Sequence, residues 1–241
     1  VDYAEGVIKT EQGLFAEVRI WEAATGQEVL CLPVIRQGIL CLCFGPDARL
    51  LASGGSEDGA IRVWNVVPPS GGQAVPLHSF SGCRTVVSLA FSPDGTKLAA
   101  ADFEGDHVRV WDVETGRPCH TLPSPSHLTC VTFSPTGNRL AATGYEGTVR
   151  LWDAATGQDS LTLHGLTVAR FGDYAFTGRV VFSSDGTRII SNGWDGTINV
   201  WDASPLPPRQ GSASALKHFY STLTVTLAVS ELFDISVIVI F

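Results

Sequence analysis

The sequence has no methionine, not even at position 1, so the chain is expected to be an excerpt of a longer product or a processed one. Cations are scarce: 16 Lys and Arg stand against 24 Asp and Glu, for a formal net charge of -8. An acidic chain without a basic run is poorly suited to hold a phosphate backbone, and nucleic acid is excluded as a partner. The six cysteines, Cys31, Cys41, Cys43, Cys83, Cys119 and Cys130, form no Cys-x-x-Cys pair and no second cluster of zinc spacing. They read as buried free thiols in a reducing compartment, and a cytoplasmic location is expected. No signal peptide opens the chain, because Val1 to Glu17 mixes acids and Lys9 with short apolar pieces.

Catalytic patterns are also missing. The six histidines include no His-x-x-x-His pair, and there is no Gly-x-Ser-x-Gly, phosphate-cradling loop or dinucleotide fingerprint. Ser214 to Lys217 spells Ser-x-x-Lys without the motifs that accompany it in acyl-transfer enzymes. Asp102 to His107 opens like a calcium loop, but His107 and Val113 occupy the places of the required Gly and Glu. The sequence therefore predicts no enzyme, no cofactor and no metal.

What is present is apolar material and punctuation. Hydrophobic residues make up 44 % and charged ones 17 %, enough for a packed core and too apolar for a disordered chain. The 25 Gly and 13 Pro imply many turns rather than long helices. Five tryptophans, Trp21, Trp64, Trp111, Trp152 and Trp201, recur at intervals of 43, 47, 41 and 49 residues. Each ends a similar phrase, such as Val108-Arg109-Val110-Trp111. Upstream of the last four comes an alternating apolar stretch ending in Phe44, Phe91, Phe133 or Phe182, then a turn such as Pro93-Asp94-Gly95. A second apolar stretch follows, then an acid beside Gly at Asp58, Glu104, Glu146 or Asp195, then the Trp phrase. After it, Ala-Thr-Gly or Glu-Thr-Gly leads to a fourth stretch. Period-two apolar runs between Gly turns are strands. Four antiparallel strands per unit of about 40–45 residues make a propeller blade, which buries its two faces only by stacking on copies of itself.

These residues bring a family into view. With Trp111-Asp112, Trp152-Asp153 and Trp201-Asp202, and the variants Trp64-Asn65 and Trp21-Glu22, the chain resembles the WD-repeat β-propellers over residues 14–204. The Ala-Ala-Thr-Gly-Gln wording is similar to bacterial-type members, often appended to signalling proteins such as serine/threonine kinases. The resemblance implies an all-β chain: a partial propeller with a partial blade at 1–33 and blades at about 34–80, 81–122, 123–163 and 164–204. Family members close with about seven blades, so an open ring would invite self-association. It also implies structural roles for the five tryptophans and for Asp58, Glu146 and Asp195. The family's Gly-His before the first strand is missing. Gly82-Cys83 stands near one such place and His164-Gly165 reverses another. In the family that His bonds the turn acid, a Ser or Thr and the Trp; here Ser53, Thr143 and Ser191 are the hydroxyls retained.

Two features lie beyond the repeat. Residues 205–215, rich in Pro, read as a linker. Residues 216–241 are an apolar tail: strand, aberrant sequence or membrane segment. Its β-branched content favours strand, while Glu231 and Asp234 would each cost about 2–3 kcal/mol in a membrane. The residue before each turn acid is Glu57, Phe103, Tyr145 or Trp194. Three neighbouring aromatics on one rim suit a binding surface; the other reading is that each ring covers its own blade corner. Arg19, Arg62, Arg109 and Arg150, two before the Trp, read as structural more than as an anion site. The expectation is a non-catalytic scaffold for a protein or peptide partner, binding through Phe103, Tyr145, Trp194 and Glu57. The alternative is a small-ligand sensor acting in cis on a catalytic domain.

Overall fold

The computed structural model describes residues 3–10, 13–32, 38–55, 59–66, 75–125, 127–166, 169–171, 174–176, 178–193, 196–204 and 223–226. Every regular element among them is a strand. The first sheet is β1 (Tyr3–Thr10), β2 (Gly13–Trp21) and β3 (Glu28–Cys31). The second is β4 (Ile39–Phe44), β5 (Leu50–Gly55), β6 (Ile61–Asn65) and β7 (Pro76–Phe80). The third is β8 (Val86–Phe91), β9 (Lys97–Asp102), β10 (His107–Asp112) and β11 (Pro118–Pro123). The fourth is β12 (Leu128–Phe133), β13 (Arg139–Gly144), β14 (Thr148–Asp153) and β15 (Asp159–His164). A short hairpin of β16 (Ala169–Phe171) and β17 (Tyr174–Phe176) follows. The fifth sheet is β18 (Val180–Phe182), β19 (Arg188–Asn192), β20 (Thr197–Asp202) and β21 (Leu223–Thr226). Each is an antiparallel meander in chain order. This is a partial propeller, four complete blades and one three-stranded one, and the described sheets do not close into a ring.

The cores lie between the sheets. Successive residues of a strand face opposite neighbours. Trp64 packs with Val18, Ile20 and Leu30 of the first sheet, while Val63 packs with Val86 and Trp111 of the third. Val110 joins Leu140 and Trp152 of the fourth sheet, and Leu151 joins Ile189 and Trp201 of the fifth. Two-sided burial explains why these strands read as nearly continuous apolar runs.

Hydrogen bonds between the first strands of neighbouring sheets repeat this stitching. A bulge in each of β4, β8 and β12, between Ile39 and Cys41, Val86 and Ser88, or Leu128 and Cys130, sets a small polar side chain beside the next sheet. The Cys41 thiol donates to the Val86 carbonyl at 3.4 Å, Ser88 Oγ accepts from the Val131 N–H at 3.1 Å, and the Cys130 thiol donates to the Val180 carbonyl at 3.8 Å. Gly54 is required there, since a Cβ would lie 2.5 Å from Val86 Cγ1.

The inner turns repeat as well. Asp94 Oδ1 accepts from Ser92 Oγ and the Thr96 N–H, and Asp185 does the same with Ser183 and Thr187. Gly95, Gly137 and Gly186 follow with φ near 70°. The second sheet has Ala48 at that place with φ 57°, a left-handed conformation that disfavours a side chain.

Four readings change or sharpen. All six cysteines are free, but only Cys83 is buried; Cys31 and Cys119 are exposed because both lie on outer strands, and the other three are half-buried. Of the three hydroxyls retained, those of Ser53 and Ser191 take up a tryptophan and that of Thr143 does not. Register places Ser53 opposite Arg62, Ala100 opposite Arg109, Ala142 opposite Arg150 and Ser191 opposite Asn199. The Trp64 and Trp201 indole N–H groups therefore donate to Ser53 and Ser191 at 3.0 and 2.9 Å. Alanine offers no such acceptor in the third and fourth sheets, and Thr143 Oγ1 donates to the Gly178 carbonyl instead. Third, the β16–β17 hairpin interrupts the repeat. Fourth, residues 223–226 of the tail form a strand, as their β-branched content favours, and pair with β20, Ile198 opposite Val225. The rest of the tail and residues 205–215 lie outside the described residues.

Candidate interaction surface

The turn between the second and third strands of a sheet is fastened to the loop that enters the same sheet. The Phe103 N–H donates to the Thr85 carbonyl at 2.8 Å, and the Tyr145 N–H donates to the His127 carbonyl at 2.9 Å. Thr85 and His127 are thus equivalent residues, each just ahead of an inner strand. This fastening carries Phe103 and Tyr145 to the same rim on adjacent sheets.

There the two rings meet, joined by His127. Phe103 stacks on the His127 imidazole with centroids 4.8 Å apart and planes 18° apart. Tyr145 presents an edge to both, at 5.1 Å from Phe103 and 5.5 Å from His127. Such ring pairs are worth about 0.5–1.5 kcal/mol beyond their area. His127 Nδ1 donates to the Phe103 carbonyl at 2.6 Å and lies 3.1 Å from Asp106 Oδ1. Asp106 holds φ 52° at the turn position that Gly59 and Gly147 fill elsewhere. Phe103 and Tyr145 are half-buried, while His127, Glu104, Asp106 and Glu146 are exposed. The patch is aromatic at its centre and acidic at its border.

Glu57, Asp58, Trp194 and Asp195 lie outside the described residues. Glu146 is exposed on its turn. Trp64, Trp111, Trp152 and Trp201 are buried and Trp21 is half-buried, all within the inter-sheet cores or at their edge. Their Asp partners shape the outer turns: Asp112 Oδ1 accepts from Thr115 Oγ1 and its N–H, and Asp153 Oδ1 accepts from the same groups of Thr156. Those bonds hold both carboxyls below the usual range. Two of the recurrent arginines join strands of their own sheets, Arg19 to Glu28 at 3.1 Å and Arg150 to Asp159, while Arg109 donates to His107 of its own strand. The residue that sequence reasoning missed is His127. Its signal was position, immediately before an apolar inner strand, not proximity to a turn acid.

A further polar cluster sits one strand away. The Asp102 carboxylate is fully buried and accepts from the Arg84 and Thr85 N–H groups at 2.9 and 3.0 Å. Cys83 and His107 lie beside it. Burial and the Asp102 charge push the Cys83 thiol up to about 12, so it is not a nucleophile at neutral pH.

Comparison with known proteins agrees with this architecture. Residues 26–65, 116–153 and 175–202 match the family described as WD domain, G-beta repeat. Residues 62–134 match the Anaphase-promoting complex subunit 4 WD40 domain. Protein ROOT INITIATION DEFECTIVE 3 of Arabidopsis thaliana is 36 % identical over 63 residues, 26 % of this chain and 14 % of that protein. The match thus spans a small part of that relative's length. The two WD40 models together match residues 26–153 and 175–202, and the described residues among them fold as stacked antiparallel sheets, so the chain is built of WD repeats.

Proposed function

We propose that this chain is a non-catalytic interaction module that seats a protein or peptide partner on the rim carrying Phe103, His127 and Tyr145. The observation that carries the reading is the three-ring cluster, assembled across two sheets by backbone bonds that also hold the turns in place. Exposed aromatic clusters are favoured anchors for partners. The exposed acids Glu104, Asp106 and Glu146 add a preference for a segment bearing Lys or Arg, whose cation can lie on a ring face. WD repeats in general mediate protein association, in accord with this reading. The six free thiols support a reducing, cytoplasmic setting.

The test starts from a displayed peptide library selected on the intact chain. Enriched peptides are expected to be basic and to lose at least about tenfold in affinity toward a Phe103→Ala/Tyr145→Ala double variant. Equal affinity for that variant, with its thermal transition intact, would place the partner surface elsewhere.

A further inference from the structure

We propose that Cys83, Asp102 and His107 form a binding site for a divalent transition-metal ion of the zinc type. Asp102 ends β9 and His107 begins β10, and the two are directly paired across the hairpin. Cys83 comes from the loop that enters β8. The Cys83 Sγ, an Asp102 carboxylate oxygen and a His107 ring nitrogen lie within 4.8 Å of one another. Asp102 Oδ2 and His107 Nε2 are 3.4 Å apart. Zinc bonds of about 2.0–2.3 Å in a tetrahedron require donors about 3.3–3.8 Å apart, so that edge already has the right length.

Three further observations converge on a metal. The first is the tautomer of His107. Its Nδ1 donates to the Gly105 carbonyl, which makes Nε2, 3.4 Å from Asp102 Oδ2, the nitrogen that carries the lone pair. The Arg109 Nε–H donating to that nitrogen at 2.8 Å requires the same tautomer. A ligating imidazole held through its outer N–H by a backbone carbonyl is the usual support for a metal-bound histidine. The second is Asp102. Each of its oxygens accepts one backbone N–H and keeps a lone pair. The third is the chemistry of the set. Thiolate, imidazole and carboxylate together match zinc, and two anionic ligands neutralise a dication in a site with little solvent.

Binding exchanges one proton. The Cys83 S–H bond breaks as the sulfur–metal bond forms, and the proton leaves to solvent, so affinity rises with pH. The ion also takes the Nε2 lone pair from Arg109. That guanidinium packs against Gly82, where a Cβ would lie 2.4 Å from Nη1, and its freed Nε–H can turn to the thiolate or carboxylate.

Cobalt(II) is the probe, because a thiolate ligand gives it a charge-transfer absorption band. The intact chain carries Cys31→Ser and Cys119→Ser to remove the exposed thiols. One equivalent of Co²⁺ is expected to saturate the band and one equivalent of Zn²⁺ to abolish it. Cys83→Ser is expected to lose the band, and His107→Gln to weaken cobalt binding at least about tenfold. Arg109→Gln, which frees Nε2, is expected to tighten it. Far-ultraviolet circular dichroism without metal verifies the fold of each variant. No band at stoichiometric cobalt, or a band that survives Cys83→Ser, overturns the proposal. If Cys83→Ser does not fold, unchanged cobalt affinity in His107→Gln overturns it equally.

Discussion

The second and fifth sheets differ from the third and fourth in one buried position. The former carry Ser53 and Ser191 under the indole N–H of Trp64 and Trp201. The latter carry Ala100 and Ala142, both essentially without solvent exposure. Among the described residues, the alanine-bearing sheets carry the Phe103–His127–Tyr145 rings and the Cys83–Asp102–His107 cluster. The core between them is also complete, with Leu140 and Val108 fully buried and Trp152 at 1 % exposure. The difference teaches that the indole hydrogen bond is an accessory to packing. Where the apolar interface is filled, the bond can be absent and the polar machinery can be redeployed at the rim.

This comparison can be broken most sharply at the tryptophans. Trp111→Ala is expected to cost about 3–5 kcal/mol in urea unfolding, because it empties a buried site and removes the ring stacked on Phe80 at 5.3 Å. If packing dominates, Trp64→Ala costs a similar amount despite its extra bond. A much larger loss at Trp64 would reverse the ranking. A smaller effect isolates the bond itself. Ser53→Ala is expected to lose about 1 kcal/mol by leaving the Trp64 donor buried and unpaired. The reciprocal Ala142→Ser, which puts a hydroxyl at the equivalent register under Trp152, is expected to raise the thermal midpoint. A fall would mean that the core between the third and fourth sheets has no room for one oxygen.

The inner turns sharpen the comparison further. Ala48→Gly is expected to stabilise the second sheet by about 1 kcal/mol, because glycine occupies the left-handed conformation without strain. The same change cannot help at the other inner turns, which already have glycine. The smallest effect concerns pH. The hydroxyl and N–H groups of Ser183 and Thr187 hold the Asp185 carboxyl down at about 2. A depressed carboxyl contributes stability above its unfolded value near 3.8, and that contribution is lost as pH falls toward 2. Acid titration followed by circular dichroism is expected to show a shallower decline over that interval for Asp185→Asn than for the parent chain.

The strand and turn pattern was legible because both are local. Gly at positive φ, Asx-type turns and Trp at the end of the third strand each leave a fixed trace. What escaped depends on register or on distant partners. The retained hydroxyl of Thr143 stands one residue past the position under the indole, which is Ala142. In a strand, one residue changes the face. His127 lies 24 residues from Phe103, and only the fastening of turn to entry loop brings them together. Cys83 is 19 residues from Asp102, so no metal-ligand spacing could reveal it. Leu223 to Thr226 was readable as strand by composition, but its partner β20 lies across a Pro-rich break in the rhythm.

Because every core is held jointly by two neighbours, no sheet possesses one of its own. Stability then accrues per junction, and loss begins at the first and fifth sheets, each of which shares one core with another described sheet. Hydrogen exchange is expected to be slowest along β9, β10 and β13 and to quicken outward in both directions, so that the rim bearing Phe103 and Tyr145 stays assembled after the terminal sheets have begun to open.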